Sequence, residues 1–265
     1  MGSEMCIRDR FKGVRGIEAH IDTVGDPLLY PKLPELIHEL KSIEEVKVVS
    51  IQSHAPTLTY KLVNKLEAAG LDRINLSIDA LNPQLARKIQ DTKWYNVERV
   101  MNLVDYMVKS TNIDVHLTPV LLPGINDEEI PKIIEWGLKV GVGKKWPPFG
   151  IQKYVRHKRG RKPKGVREQT WSEFFSYLRK LSDEFKVNLI PSMEDFCMFK
   201  TKMIPITYRV GCKVKVKIVS EGWMKGEKLA VTNNFDRVIT VVDAQELPVG
   251  SRLSVRIISN KHNIY

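Results

Sequence analysis

Polar residues, glycines and prolines recur in this chain where short apolar runs stop. The first such point is His20-Ile21-Asp22-Thr23-Val24-Gly25-Asp26-Pro27. Gly25 has no Cβ and lets a ligand approach the backbone closely. Pro27 offers a carbonyl without an N–H and stiffens the loop. Gln52-Ser53-His54, Ser77-Ile78-Asp79, Pro123-Gly124-Ile125-Asn126-Asp127 and Gly150-Ile151-Gln152 stand at equivalent points further on. Asp22 and Asp79 occupy run ends, where a carboxylate orients a ligand or caps the next helix. His54 stands at a run end too, a position open to a site role. His116 lies inside an alternating run and reads as a structural histidine. No run end offers a lysine for Schiff-base chemistry, so an aldolase- or isomerase-type barrel ranks low. The three cysteines, Cys6, Cys197 and Cys212, show neither metal-ligand spacing nor a disulfide framework. Cys197 and Cys212 read as small apolar packing residues, and the cysteine usage fits a reducing, cytoplasmic setting.

The elements that must position these residues alternate regularly. Gly16–Ile21, Val46–Ile51, Arg73–Ile78, Ile113–Val120, Phe149–Val155 and Val187–Ile190 read as strands. Helices are predicted from near Pro31, over 58–69 with Gly70 as its stop, over 84–89 behind an Asn82 N-cap and Pro83, over 97–109, from Glu128 to Val140 behind an Asn126 or Asp127 cap, and over Trp171–Phe185. Trp136, Trp146 and Trp171 read as packing residues. Strand–helix alternation of this regularity implies parallel strands with crossover helices. No G-x-G-x-x-G follows the first strand, which disfavours a dinucleotide fold. The polar segments all fall at C-terminal strand ends, the rim on which a (β/α) barrel builds its chemistry.

From Gly211 onward the pattern changes. Lys213–Val219, Lys228–Val231, Arg237–Val242 and Arg252–Ile258 read as short strands with no helix between them, a small all-β barrel of OB-like size. Lys213, Lys215 and Lys217 share one face of their strand. A second basic cluster, Lys153, Arg156, Lys158, Arg159, Arg161 and Lys162 with neighbouring Lys164 and Arg167, lies in a Gly- and Pro-containing loop. With a net charge of +11, both clusters are candidate phosphate contacts for a nucleic acid. No apolar run is long enough to span a membrane.

Taken in order, the rim segments resemble the radical SAM superfamily. Val24-Gly25-Asp26-Pro27 is similar to its G-G-E-P loop, with Val24 in place of the first Gly and Asp26 in place of Glu. The resemblance implies that Gly25, Asp26 and Pro27 hold the methionine amino group of S-adenosylmethionine. It implies that Gln52 and Ser53 face the cofactor, and that Ser77 and Asp79 approach its ribose or carboxylate. Asn126 would contact the ribose, and Ile151 would flank the adenine. The resemblance covers about Gly16–Ile190. More closely, the chain resembles archaeal Fe–S oxidoreductases with a C-terminal TRAM-like domain. That implies a partial (β/α) barrel over residues 13–200, a TRAM-like β-barrel over 205–265, and tRNA or another RNA as partner. The activity implied is reductive cleavage of S-adenosylmethionine to a 5′-deoxyadenosyl radical, served by a ferredoxin- or flavodoxin-like electron donor.

One departure bears on all of this. The superfamily's C-x-x-x-C-x-x-C motif is absent, and a [4Fe–4S] cluster needs several converging thiolates. Residues 1–12 read as a non-native leader. The expectation is therefore an N-terminally truncated chain without metal ligands, inactive as it stands, with the cluster only in a full-length parent. The alternative is a cluster-free RNA-binding protein built on a degenerate barrel.

Overall fold

The computed structural model describes residues 16–22, 25–156, 163–200, 206–261 and 264–265. The expected leader, Val24, and the basic residues Lys158, Arg159, Arg161 and Lys162 lie outside the described residues. The chain divides into two compact units, Met1–Lys200 and Thr201–Tyr265.

In the first unit, β1 (Ile17–Ile21), β2 (Val46–Ser53), β3 (Arg73–Leu76) and β4 (Asp114–Leu117) form a parallel sheet in that order. A parallel bridge from Leu117 to Phe149 extends the row, and the short strands β5 (Val120–Leu121) and β6 (Gln152–Lys153) pair in parallel beyond it. The helices are α1 (Leu33–Lys41), α2 (Tyr60–Ala68), α3 (Pro83–Gln90), α4 (Val97–Ser110), α5 (Glu129–Val140) and α6 (Trp171–Phe185).

Local chemistry sets their ends. The Asn82 side chain accepts from Gln84 N and Leu85 N, with Pro83 opening α3. Thr170 and Glu173 form a reciprocal capping box on α6. Three expectations change. The α5 cap is Glu128 and makes no side-chain bond, because Asn126 and Asp127 bond within their own loop. Only Gln152–Lys153 of the Phe149–Val155 segment is a strand, and 187–190 is irregular.

The sheet is two-faced. Ala19, Val49, Ile51, Ile74, Leu76, Val115 and Leu117 pack with the helices in one buried core. On the alternate positions stand Glu18, His20, Ser50, Gln52, Arg73, Asn75, Ser77, His116 and Thr118. Parallel strands are usually apolar on both faces. Here one face carries polar groups, and it carries them on every strand.

In the second unit, β7 (Lys213–Glu221), β8 (Lys228–Thr232), β9 (Val238–Val241) and β10 (Arg252–Arg256) form an antiparallel sheet in the order β10-β7-β8-β9. Among the described residues no β9–β10 ladder closes it, so the expected barrel is an open sheet. Tyr265 is buried against its core; its carbonyl accepts from Thr240 N at 2.8 Å and its hydroxyl from Thr207 N and Tyr208 N at 3.1 Å. Cys212 packs against this core as expected. Cys197 does not pack as a small apolar residue; it is exposed at a left-handed turn with φ 55°.

Candidate functional site

The rim begins at Asp26, which follows β1. Its carboxylate caps the turn Pro27–Leu29 by accepting from Leu28 N at 3.0 Å. It also accepts from Ser53 Oγ at 2.9 Å and from His54 N at 2.9 Å. Asp26 and Ser53 therefore bind the first loop to the end of β2. Pro27 is buried, while Gly25 is exposed with no atom within 4 Å of where a Cβ would stand. Gly25 is thus exposed to approach from the side where a Cβ would stand.

A second cluster joins the ends of β2, β3 and β4. The Gln52 amide donates to Ser77 Oγ at 2.9 Å and to Thr118 Oγ1 at 3.0 Å, and the two hydroxyls lie 3.2 Å apart. Ser77 and Thr118 are buried; Gln52 is half-buried. Beside it, the exposed His54 lies 3.0 Å from the Gln90 amide, which reaches Asp79 Oδ2 at 3.3 Å. Asp79 is buried, and its Oδ1 accepts from Val120 N at 2.8 Å. Tyr95 is 4% exposed, and its buried hydroxyl has no hydrogen-bond partner among the described residues. Burial, then the charge of Asp79, push this phenol above its ordinary range.

Two expected contacts are corrected. Asn126 is 0% exposed and does not face a ribose: its Oδ1 accepts from Leu122 N at 2.7 Å, and its amide donates to the carbonyls of Asp79 and Val120, each at 2.9 Å. It ties two rim loops together. Asp79 likewise holds the start of β5 rather than presenting a free carboxylate. Ile151 is buried in the core.

Further down the polar face, Arg73 Nη2 meets Glu18 Oε1 at 2.5 Å, and Ser50 Oγ donates to the same oxygen at 2.5 Å. The guanidinium lies 4.9 Å from the Trp146 ring centroid and 5.2 Å from that of Phe196. His116 Nδ1 sits 2.6 Å from the Pro147 carbonyl and is structural; burial lowers its pKa to about 4. Glu18, His20, Arg73, Gln90, Tyr95 and Thr118 were not singled out as site residues. For Glu18, His20, Arg73 and Thr118 the signal was available as a period of two, Glu18-x-His20, Arg73-x-Asn75-x-Ser77 and His116-x-Thr118; Gln90 and Tyr95, on a helix end and the loop after it, carry no such signal.

The basic residues separate into two outcomes. Lys153 is withdrawn from the phosphate-contact set: its side chain is 4% exposed, 3.0 Å from Glu168 Oε1 and 5.1 Å from the Trp171 ring centroid. Arg156 is exposed. On β7, Lys213, Lys215 and Lys217 are all exposed, and β10 adds Arg256 opposite Lys213 and Arg252 opposite Lys217. Five cations thus share one face with no carboxylate between them, although like charges directly opposite destabilise a sheet.

Residues 7–137 match the model of the radical SAM superfamily. An uncharacterized protein of Methanocaldococcus jannaschii is 37% identical over 274 aligned residues, covering 96% of this chain and 63% of the relative. A probable GTP 3′,8-cyclase of the same organism is 39% identical over 121 residues, covering 44% of this chain and 38% of the cyclase. The chain thus spans only part of these relatives. Its fold is similar to that of Streptococcus suis SuiB (TM-score 0.53, 14% identity, 71% of this chain and 41% of SuiB). It is also similar to SuiB bound to S-adenosylmethionine (TM-score 0.50, 14% identity, 64% of this chain and 38% of SuiB). The superfamily uses S-adenosylmethionine and a [4Fe–4S] cluster.

The two groups fare differently here. Gly25 open to approach, the half-buried Gln52 and the unpartnered Tyr95 hydroxyl suit a polar cofactor such as S-adenosylmethionine. The cluster does not fit: among the described residues no three His, Cys, Asp or Glu side chains could hold a metal ion, and the sequence has no C-x-x-x-C-x-x-C.

Proposed function

We infer, from the match of residues 7–137 to the radical SAM superfamily model, that the rim of the first unit binds S-adenosylmethionine and that the basic sheet of the second binds an RNA. In the superfamily the cofactor supplies a 5′-deoxyadenosyl radical by reductive cleavage. Gly25 and Gln52 would hold the cofactor's polar groups. Asp26, Ser53, Asp79 and Asn126 keep the loops that carry them in place, and Pro27 and Ser77 close the space behind. With no C-x-x-x-C-x-x-C in its sequence, the reading expects this chain alone to bind the cofactor without cleaving it.

The observation that carries this reading is the Asp26 carboxylate. It accepts from three donors on two elements and fixes a loop whose glycine is open to solvent. Isothermal calorimetry of the chain with S-adenosylmethionine should show one site. A product assay after treatment with iron, sulfide and dithionite should yield no 5′-deoxyadenosine. Absence of binding would refute the cofactor reading, and cofactor cleavage would refute the inactivity.

RNA as partner is supported by the five-cation face of β7 and β10. Fluorescence anisotropy with a labelled RNA should show binding that weakens steeply with salt. Salt-independent binding, or none at low ionic strength, would remove the RNA from this reading.

A further inference from the structure

We propose that His20 is a proton-accepting residue on the polar face of the first sheet, locked as the Nδ1–H tautomer by Ser50 and Glu18 so that Nε2 is offered as a base to a substrate N–H or O–H. Glu18 Oε1 receives Arg73 Nη2 at 2.5 Å, and the Arg73 side chain is 4% exposed. A carboxylate paired with a buried guanidinium is ionised and only accepts. The Ser50 hydroxyl has one proton and gives it to Glu18 at 2.5 Å. Ser50 is 0% exposed, so the donor to its oxygen comes from the protein. That donor is His20 Nδ1, at 2.7 Å.

With the proton fixed on Nδ1, the neutral ring carries its lone pair on Nε2. No partner for that nitrogen is found among the described residues, and the His20 side chain is 34% exposed. It projects from the face that also carries Gln52, Asn75 and Ser77. The charged groups around it are Glu18, Asp22 and Arg73. Burial outweighs the two carboxylates and lowers the pKa of His20, so the ring is neutral near pH 7. Glu18 and Ser50 are positioning residues in this arrangement. The assignment rests on the polar face being the substrate side, but its test needs neither cofactor nor turnover, so it fails separately from cofactor binding.

Long-range proton–nitrogen correlation on histidine-labelled chain reads the tautomer directly. His20 should show a protonated Nδ1 and a bare Nε2 at neutral pH. Ser50→Ala and Glu18→Ala should each erase that preference. A protonated Nε2 in the unmodified chain, or an unchanged tautomer in a folded Ser50→Ala variant, would overturn the proposal. Should both variants fail to fold, diethyl pyrocarbonate supplies a second reading on the unmodified chain. It acylates bare imidazole nitrogens, and peptide mass spectrometry should find His20 modified several-fold faster than His116. Equal protection of the two would also overturn the proposal.

Discussion

The side-chain amide of Asn126 donates to the backbone carbonyl of Asp79 at 2.9 Å, joining the loop before α5 to the loop after β3. Its second amide contact and its accepted bond from Leu122 N leave no face of this side chain for a ligand. Asn126→Ala would strand buried backbone groups, each worth roughly 1–3 kcal/mol. Urea unfolding should show a loss of about 2–4 kcal/mol, together with weaker cofactor binding because two rim loops lose their tie. Unchanged stability would mean that the loops are held elsewhere.

On the proposed function, Asp26 should act on binding more than on folding. It is half-buried, and its three accepted bonds set the loop that carries Gly25. Asp26→Ala should weaken S-adenosylmethionine binding by about tenfold or more, equivalent to roughly 1.4 kcal/mol, while Ser53→Ala removes one donor and should cost less. Calorimetry on both variants orders the two effects.

His116 gives the fold a pH dependence of known sign. Its folded pKa is lowered from 6.5 to about 4, chiefly by burial. The unfolded chain therefore binds the extra proton first as pH falls. Stability from this group is complete above pH 6.5 and is lost progressively down to about pH 4. The full loss is roughly 3 kcal/mol. Denaturant midpoints of the chain and of His116→Gln should converge in slope only if another group controls this window.

The five-cation face predicts opposite effects on binding and stability. Lys215→Ala should reduce the salt slope of RNA binding by about 0.7–0.9, one phosphate contact. Arg252→Ser removes a like-charge neighbour of Lys217 and should raise thermal stability slightly, by a few tenths of a kcal/mol, while weakening RNA binding. Anisotropy and thermal melts on one preparation test both signs.

Much of this was legible because the rim is local chemistry. Asn82-Pro83 opens a helix by its own side chain, and each polar segment follows a strand directly. What stayed hidden depends on partners far along the chain. Lys153 reads as a free cation until Glu168 and Trp171 fold over it. Asn126 reads as a ligand contact or cap until its amide finds Asp79. The Glu18, Ser50 and Arg73 network needs the register of three strands, which pairs Ser50 with both His20 and Arg73. Sequence periodicity carries the polar face but not the contacts made across it.

The two-faced sheet separates durability from specificity. Residues such as Ile51, Ile74 and Val115 seal the helix side, and substitutions there unsettle the whole unit. Positions such as His20, Gln52 and Asn75 stand on the opposite side and are only partly covered. Substitutions there leave the apolar packing of the helix side untouched. A lineage carrying this sheet can therefore revise what it binds by changing alternate letters of a strand while the intervening letters keep the architecture constant.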